Sequence, residues 1–184
     1  GMLYRGSSLP NAAPSEKTFQ SYFVLSDSEI RFSEAWPVIT QISGIVTTDD
    51  NNVDIKVDSG SSLGVNLRNV SGEIRKDELD QSWLKLTGSV SGETSVGLNY
   101  LQKAPLSSGL AETVSSWQTN GDFVAGLNLD VPLDVSNDDP EVRLDVSLNE
   151  NSLAIPDYSL NFNNLSGPII FDTRTGLEET HLSG

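Results

Sequence analysis

Apolar residues recur at every second position along much of this chain. Val53, Ile55 and Val57 alternate with Asp54, Lys56 and Asp58, and after a Ser-Gly turn over 59–62 the series resumes at Leu63, Val65 and Leu67. Leu127, Leu129, Val131 and Leu133 form a further row, and Val142, Leu144, Val146 and Leu148 another, with Arg143, Asp145 and Ser147 between them. Tyr158, Leu160 and Phe162 repeat the pattern opposite Ser159, Asn161 and Asn163. Successive side chains of a strand point to opposite faces, so each row predicts a strand with one apolar and one wet side. Antiparallel strands with a solvated face read this way; the strands of a parallel sheet are apolar throughout.

Clusters of turn formers separate the rows: Asp49-Asp50-Asn51-Asn52, Ser59-Gly60, Ser71-Gly72, Asn137-Asp138-Asp139-Pro140 and Asn149-Glu150-Asn151. Strands joined at such short spacing pair with their sequence neighbours as a meander. The pattern predicts strands near 19–25, 29–33, 37–48, 52–58, 63–75, 82–91, 120–133, 141–149, 152–162 and 165–172. From Glu93 to Trp117 the period changes, with Val96, Tyr100 and Leu101, then Leu110, Val114 and Trp117, at helical spacing. Pro105 splits this stretch into two short helices, and Ser107 or Ser108 offers a cap for the second. Residues 1–18 lack periodicity and read as an irregular lead-in or a fragment of an upstream strand. Gly1 before Met2 reads as a tag remnant, and 19–184 as a single β-rich segment of a longer protein. The expected fold class is mostly β: an antiparallel, curved or groove-like meander with two short helices near 93–117, or alternatively a closed β-sandwich.

Charge narrows the partners. With 11 Lys and Arg against 26 Asp and Glu, the net charge is −15, which repels nucleic acid and opposes docking on an anionic bilayer through a basic face. No cysteine is present, so disulfides and thiolate chemistry are excluded, and no apolar run of about 18 residues is long enough to span a membrane. The one histidine, His181, cannot by itself furnish a three-ligand zinc site, and no Ser-His-Asp set assembles around it. The acids at Asp49 and Asp50, and at Asp134, Asp138, Asp139 and Glu141, lack the spaced calcium-loop pattern and read as hairpin turns. Asn69-Val70-Ser71 and Asn164-Leu165-Ser166 match the short N-glycosylation pattern. Trp36, Trp83 and Trp117 could stack on sugars, although core or sheet-edge packing explains each of them. No catalytic residue, metal or cofactor is expected.

Several segments, taken in order, carry a family resemblance. They are Leu3-Tyr4-Arg5-Gly6; Phe19-Gln20 leading to Phe23-Val24-Leu25-Ser26-Asp27-Ser28-Glu29-Ile30-Arg31-Phe32 and Trp36-Pro37; and Leu84-Lys85-Leu86-Thr87-Gly88. Leu98-Asn99-Tyr100-Leu101-Gln102-Lys103-Ala104-Pro105-Leu106, Gly121, and Leu127-Asn128-Leu129-Asp130-Val131-Pro132-Leu133 follow. The series ends with Leu165-Ser166-Gly167-Pro168-Ile169-Ile170-Phe171-Asp172 and Gly176-Leu177. In this order and spacing the chain resembles the AsmA-like YhdP family of Gram-negative bacteria. The resemblance implies a parent anchored in the inner membrane that crosses the periplasm. In such a parent an apolar β groove carries phospholipid acyl chains toward the outer membrane and supports its permeability barrier. Partner proteins at either membrane would be reached through the full-length parent.

Physical magnitudes agree with that expectation. Taking a two-chain lipid through water exposes about 30 methylenes at ~0.8 kcal/mol each, on the order of 24 kcal/mol. The rows Val53/Ile55/Val57, Leu63/Val65/Leu67, Leu127/Leu129/Val131 and Val142/Leu144/Val146 are the lipid-facing candidates, with the helices at 93–117 plugging or lining part of the groove. The same rows would equally line a closed sandwich acting as an adhesion, carbohydrate-binding or spacer module, because alternation does not reveal what covers the apolar face.

Overall fold

The computed structural model describes residues 1–6, 17–106, 108–133, 139–178 and 181–184. Eleven strands form one open antiparallel sheet. They are β1 (Met2–Gly6), β2 (Lys17–Ile30), β3 (Ile39–Asp49), β4 (Asn52–Ser62), β5 (Val65–Lys76), β6 (Ser82–Glu93), β7 (Gln118–Asn120), β8 (Asp122–Pro132), β9 (Glu141–Ile155), β10 (Leu160–Asp172) and β11 (Gly176–Leu177). The sheet order is β1-β2-β3-β4-β5-β6-β8-β9-β10-β11, and β7 continues the line of β8 along β9. Between β6 and β7 lie α1 (Thr94–Lys103) and α2 (Ser108–Thr113). The expected meander and helix pair are therefore present, and the sheet is not closed.

Register places nearly all the aliphatic rows on one face. Phe23, Val46, Ile55, Gly72, Leu86, Leu129 and Val142 are partnered one to the next across β2, β3, β4, β5, β6, β8 and β9. Leu144 and Val146 extend the face to Phe171 and Ile169 of β10. The opposite face carries charge: Arg75 pairs with Asp54, Lys85 with Asp130 at 3.4 Å, and Arg143 with Glu178 at 3.0 Å. Period two thus largely sorts greasy from charged side chains over β4 to β9. At the β1–β3 flank, by contrast, Leu3, Tyr22, Val24 and Ile45 make the opposite face apolar and exposed as well.

Several boundaries differ from the sequence pattern. Ser59-Gly60 is not a turn: β4 runs on to Ser62, and Gly60 and Ser62 pair with Leu67 and Val65. The hairpin loop is Leu63-Gly64, both with positive φ (49° and 87°), the two-residue geometry whose twist matches the strands. Leu63 therefore belongs to a turn and not to the apolar row. Ser71-Gly72 likewise lies within β5. Asn149-Glu150-Asn151 is a bulge inside β9, with Glu150 at φ 55°, and the chain reverses at the short 3-10 turn Pro156–Tyr158. Tyr158 thus sits on the turn and outside any strand. Residues 31–33 lie beyond the end of β2, whereas Met2–Gly6 is a strand paired with β2, in keeping with the second of the two readings of the lead-in; residues 7–16 lie outside the described residues. The Asn137-Asp138 cluster and Asp134 lie outside the described residues.

Mid-strand bulges keep the apolar face continuous. Asn69 adopts φ 49° where β5 shifts register against β6, between Arg68 and Ser71. This carries Leu67 and Val65 to the side that Val70 faces, and all three are buried together. Gly121, at φ 110°, separates β7 from β8, and its carbonyl accepts from Thr94 N at 2.9 Å. Beside it Asn151, 2% exposed, donates through Nδ2 to Asp122 O and accepts from Asn149 N. The interrupted backbone is thereby satisfied where the ladder is broken.

Candidate functional site

The broadest chemically uniform surface is the apolar face of the sheet. Its centre is covered by the chain itself. Val65, Leu67, Val70, Leu84, Leu86, Val90, Ala125, Leu129, Val131 and Val142 form one buried cluster together with Trp36 and Ala104. Two pieces of chain supply the cover. The connection after β2 folds Phe32 and Trp36 inward, with ring centroids 5.6 Å apart. Helix α1 packs on β5, β6 and β7 and contributes Val96, Tyr100 and, just beyond its end, Ala104 and Leu106.

One side chain ties these pieces together. Ser62, at the end of β4, donates to Val38 O at 2.9 Å and also bonds the Tyr100 hydroxyl. Burial raises the Tyr100 pKa, and the Ser62 bond opposes that shift. Ser62 thus helps seat the cover, while the missing side chain of Gly60 leaves room for Ile39 and Ile42 of β3, reasons for their presence that turn chemistry did not suggest.

Toward the sheet edges the same face is open. Phe19 and Phe23 of β2 are 39% and 49% exposed, and Met2 and Tyr4, which share their face on β1, are 74% and 52% exposed. At the other flank Leu160 and Phe162 of β10 are exposed, and so is Leu177 of β11. Adjacent exposed apolar residues on one face exceed the single scattered ones that any soluble surface carries.

The twelve candidate positions divide accordingly. Val65, Leu67, Leu129, Val131 and Val142 are buried beneath the cover; Val53, Ile55, Val57, Leu127, Leu144 and Val146 are half-buried on the same face; Leu63 stands apart in its hairpin loop. The aromatic flank of β1 and β2 was missing from that set. Phe19, Phe23 and Leu25 do alternate, but Tyr22 and Val24 between them hide the period, because β2 is apolar on both sides here.

Among the described residues no group of three or more His, Cys, Asp or Glu could hold a metal ion, and His181 is exposed. Two concavities lie at the margins of the apolar face. One, of about 250 Å³, is lined by Pro105, Leu106, Asp139, Pro140, Glu141, Thr173 and Arg174. The other, of about 290 Å³, lies among Asn, Gln and Ser side chains of β7, β9 and β10. No helix among the described residues is long and apolar enough to cross a membrane.

Two carboxylates have their pKa values lowered by local bonds. Asp77, in the loop after β5, has its pKa lowered chiefly by the Gln81 N–H, with Leu79 N–H and Trp83 Nε1 also donating. Asp172 is lowered first by the Arg174 N–H, then by the Arg174 and Arg143 charges. Both serve loop geometry. Asn69 and Asn164, the two matches to the glycosylation pattern, hold left-handed backbone at φ 49° and 56° inside strands.

An open antiparallel sheet with one largely apolar face, overlain by a short helical insertion, defines a mostly β, open-sheet protein. The chain belongs to the YhdP protein family, whose pattern matches residues 6–184. It is 26% identical over 156 residues to the intermembrane phospholipid transporter YhdP of Escherichia coli (strain K12), an alignment covering 85% of this chain. The alignment takes in 12% of that relative's length. No solved structure matches the chain.

Proposed function

We propose that this chain is one stretch of a periplasmic conduit that carries phospholipid between the inner and outer membranes, with acyl chains lying on the apolar sheet face. The E. coli relative is an intermembrane phospholipid transporter, and the chain belongs to the same family. The observation that carries the reading is the apolar line from Phe23 to Val142, interrupted at Gly72 and open at its flanks. An acyl chain reaches about half of the ~30 Å hydrocarbon core, roughly 15 Å. Strands of 11 or 12 residues such as β4, β5 and β6 extend to about 36 Å at ~3.3 Å per residue, so the face is wide enough to receive it. Aliphatic side chains offer no directional bond to a head group, which stays in water beyond the strand ends.

In this reading the chain catalyses no reaction. The lipid-facing positions are Val53, Ile55, Val57, Leu127, Leu144 and Val146, with Val65, Leu67, Leu129, Val131 and Val142 beneath the cover. Proteins of the two membranes are met through a longer parent. Leu144, half-buried between Leu127 and Phe171, provides the test. The purified chain is expected to take up fluorescent phospholipid from vesicles, and Leu144→Asp to lose that uptake while keeping the far-ultraviolet signature of the sheet. Uptake unchanged by the new carboxylate, or absent from the parent chain, counts against the conduit.

A further inference from the structure

The helical insertion lies across the path that a lipid moving from strand to strand would take. It leaves the sheet where Thr94 bonds the Gly121 carbonyl, at one end of the strands. Pro105 and Leu106 reach Pro140, Glu141 and Thr173, at the opposite end. Between these points α1 seats Val96 and Tyr100 over β5 and β6, on the line that joins the open β1–β2 flank to β9 and β10. We propose that α1 and its extension to Leu106 form a displaceable gate, an internal occupant of the site that acyl chains replace. The inference rests on the conduit reading.

Three features make this segment suited to leaving. Its 10 residues include Gly97 and Asn99 and have no acid in the first turn, and Glu93 at the N-cap makes no side-chain capping bond. Helices shorter than about 12–15 residues hold together mainly through packing, so α1 exists because of its seat. That seat is modest, since no residue within α1 is fully buried; Ala104, just after it, is. Finally, Val65, Leu67 and Val90 are buried in the same cluster that Val96 and Tyr100 pack against, and they continue the aliphatic lining. Acyl chains lying there would keep from water the surface that Val96, Tyr100, Ala104 and Leu106 cover now.

The absence of cysteine allows a clean lock. A Cβ built at Gly97 lies 2.9 Å from Cε1 at the edge of the Phe123 ring, so thiols placed by Gly97→Cys and Phe123→Cys face each other across the space that ring fills, and a short bifunctional thiol linker ties α1 to β8. A phosphatidylethanolamine with a photoactivatable acyl chain then reports where lipid lies, through peptide mapping. In the unlinked double variant, labelling is expected at Val65, Leu67 and Val90 and also at Phe19 and Phe23. In the linked form it is expected to fall at least tenfold at the first three and to persist at the phenylalanines. Tyr100→Ser, which loosens the seat without a lock, is expected to raise labelling beneath the helix. Equal labelling with and without the linker, or labelling confined to the flank in every variant, overturns the gate while leaving the conduit standing. No labelling anywhere removes the conduit and the gate with it.

Discussion

Truncating one residue beneath the cover and one on the open flank separates sealed from available surface. Leu129 is 5% exposed and faces Leu86 on one neighbouring strand and Val142 on the other. Leu129→Ala deletes roughly three buried carbons, about 2.4 kcal/mol at ~0.8 kcal/mol each. Strands bonded on both sides cannot close the hole, so a cavity cost adds to this and the total reaches about 3 kcal/mol. Phe23 occupies the same line of side chains but is 49% exposed. Only about half of the ~1.5–3 kcal/mol for burying such a side chain is at stake, and no cavity forms on an open face, so Phe23→Ala costs about 1 kcal/mol. Urea unfolding measures both, with unchanged m-values showing that the unfolded ensemble is unaffected. Surface substitutions ordinarily scatter by about 0.5 kcal/mol. A Phe23→Ala loss that equals the Leu129→Ala loss to within that scatter would refute the division into covered centre and open flank.

Three further outcomes follow from particular contacts. Trp36→Ala removes the ring that caps one end of the buried cluster and should cost about 3–5 kcal/mol, read as a fall of the melting temperature on the order of 10 °C. Asn69→Ala places an ordinary side chain in left-handed backbone and should cost about 1–2 kcal/mol, whereas Asn69→Gly should be tolerated; chemical denaturation of the pair distinguishes a backbone role from a lost side-chain bond. Asp77 and Asp172 have pKa values lowered in the folded state, so their stabilisation is complete above the unfolded value near ~3.9 and is lost as pH falls through the folded values. The part of the acid-induced fall in melting temperature that these two groups carry should therefore appear below about pH 4, and Asp77→Asn should remove its share.

The sheet was legible because period two is a local signal. Val53, Ile55 and Val57, and equally Val142, Leu144 and Val146, declare their face without knowledge of any neighbour. Bulges are not local in that sense. Asn69, Glu150 and Asn164 each take left-handed backbone within a strand, and the triplets and turn clusters around them suggested sugar attachment or chain reversal. Gly60 and Ser62 looked like a turn because small residues serve both to bend a chain and to make room above it. Here Ser62 bonds Val38 and Tyr100, and Gly60 leaves room for Ile39 and Ile42. Helical spacing at Val96 and Tyr100 announced α1, but its position over the sheet depends on the Thr94–Gly121 contact, 27 residues apart in the chain.

Native mass spectrometry of the chain, purified under conditions that retain co-extracted lipid, tests the central claim most directly. The account predicts a bound population heavier by the mass of one phospholipid, removed by Leu144→Asp in a chain that still folds. A chain that flies bare from every lipid-rich preparation, and takes up neither phospholipid nor detergent when offered them, would contradict it.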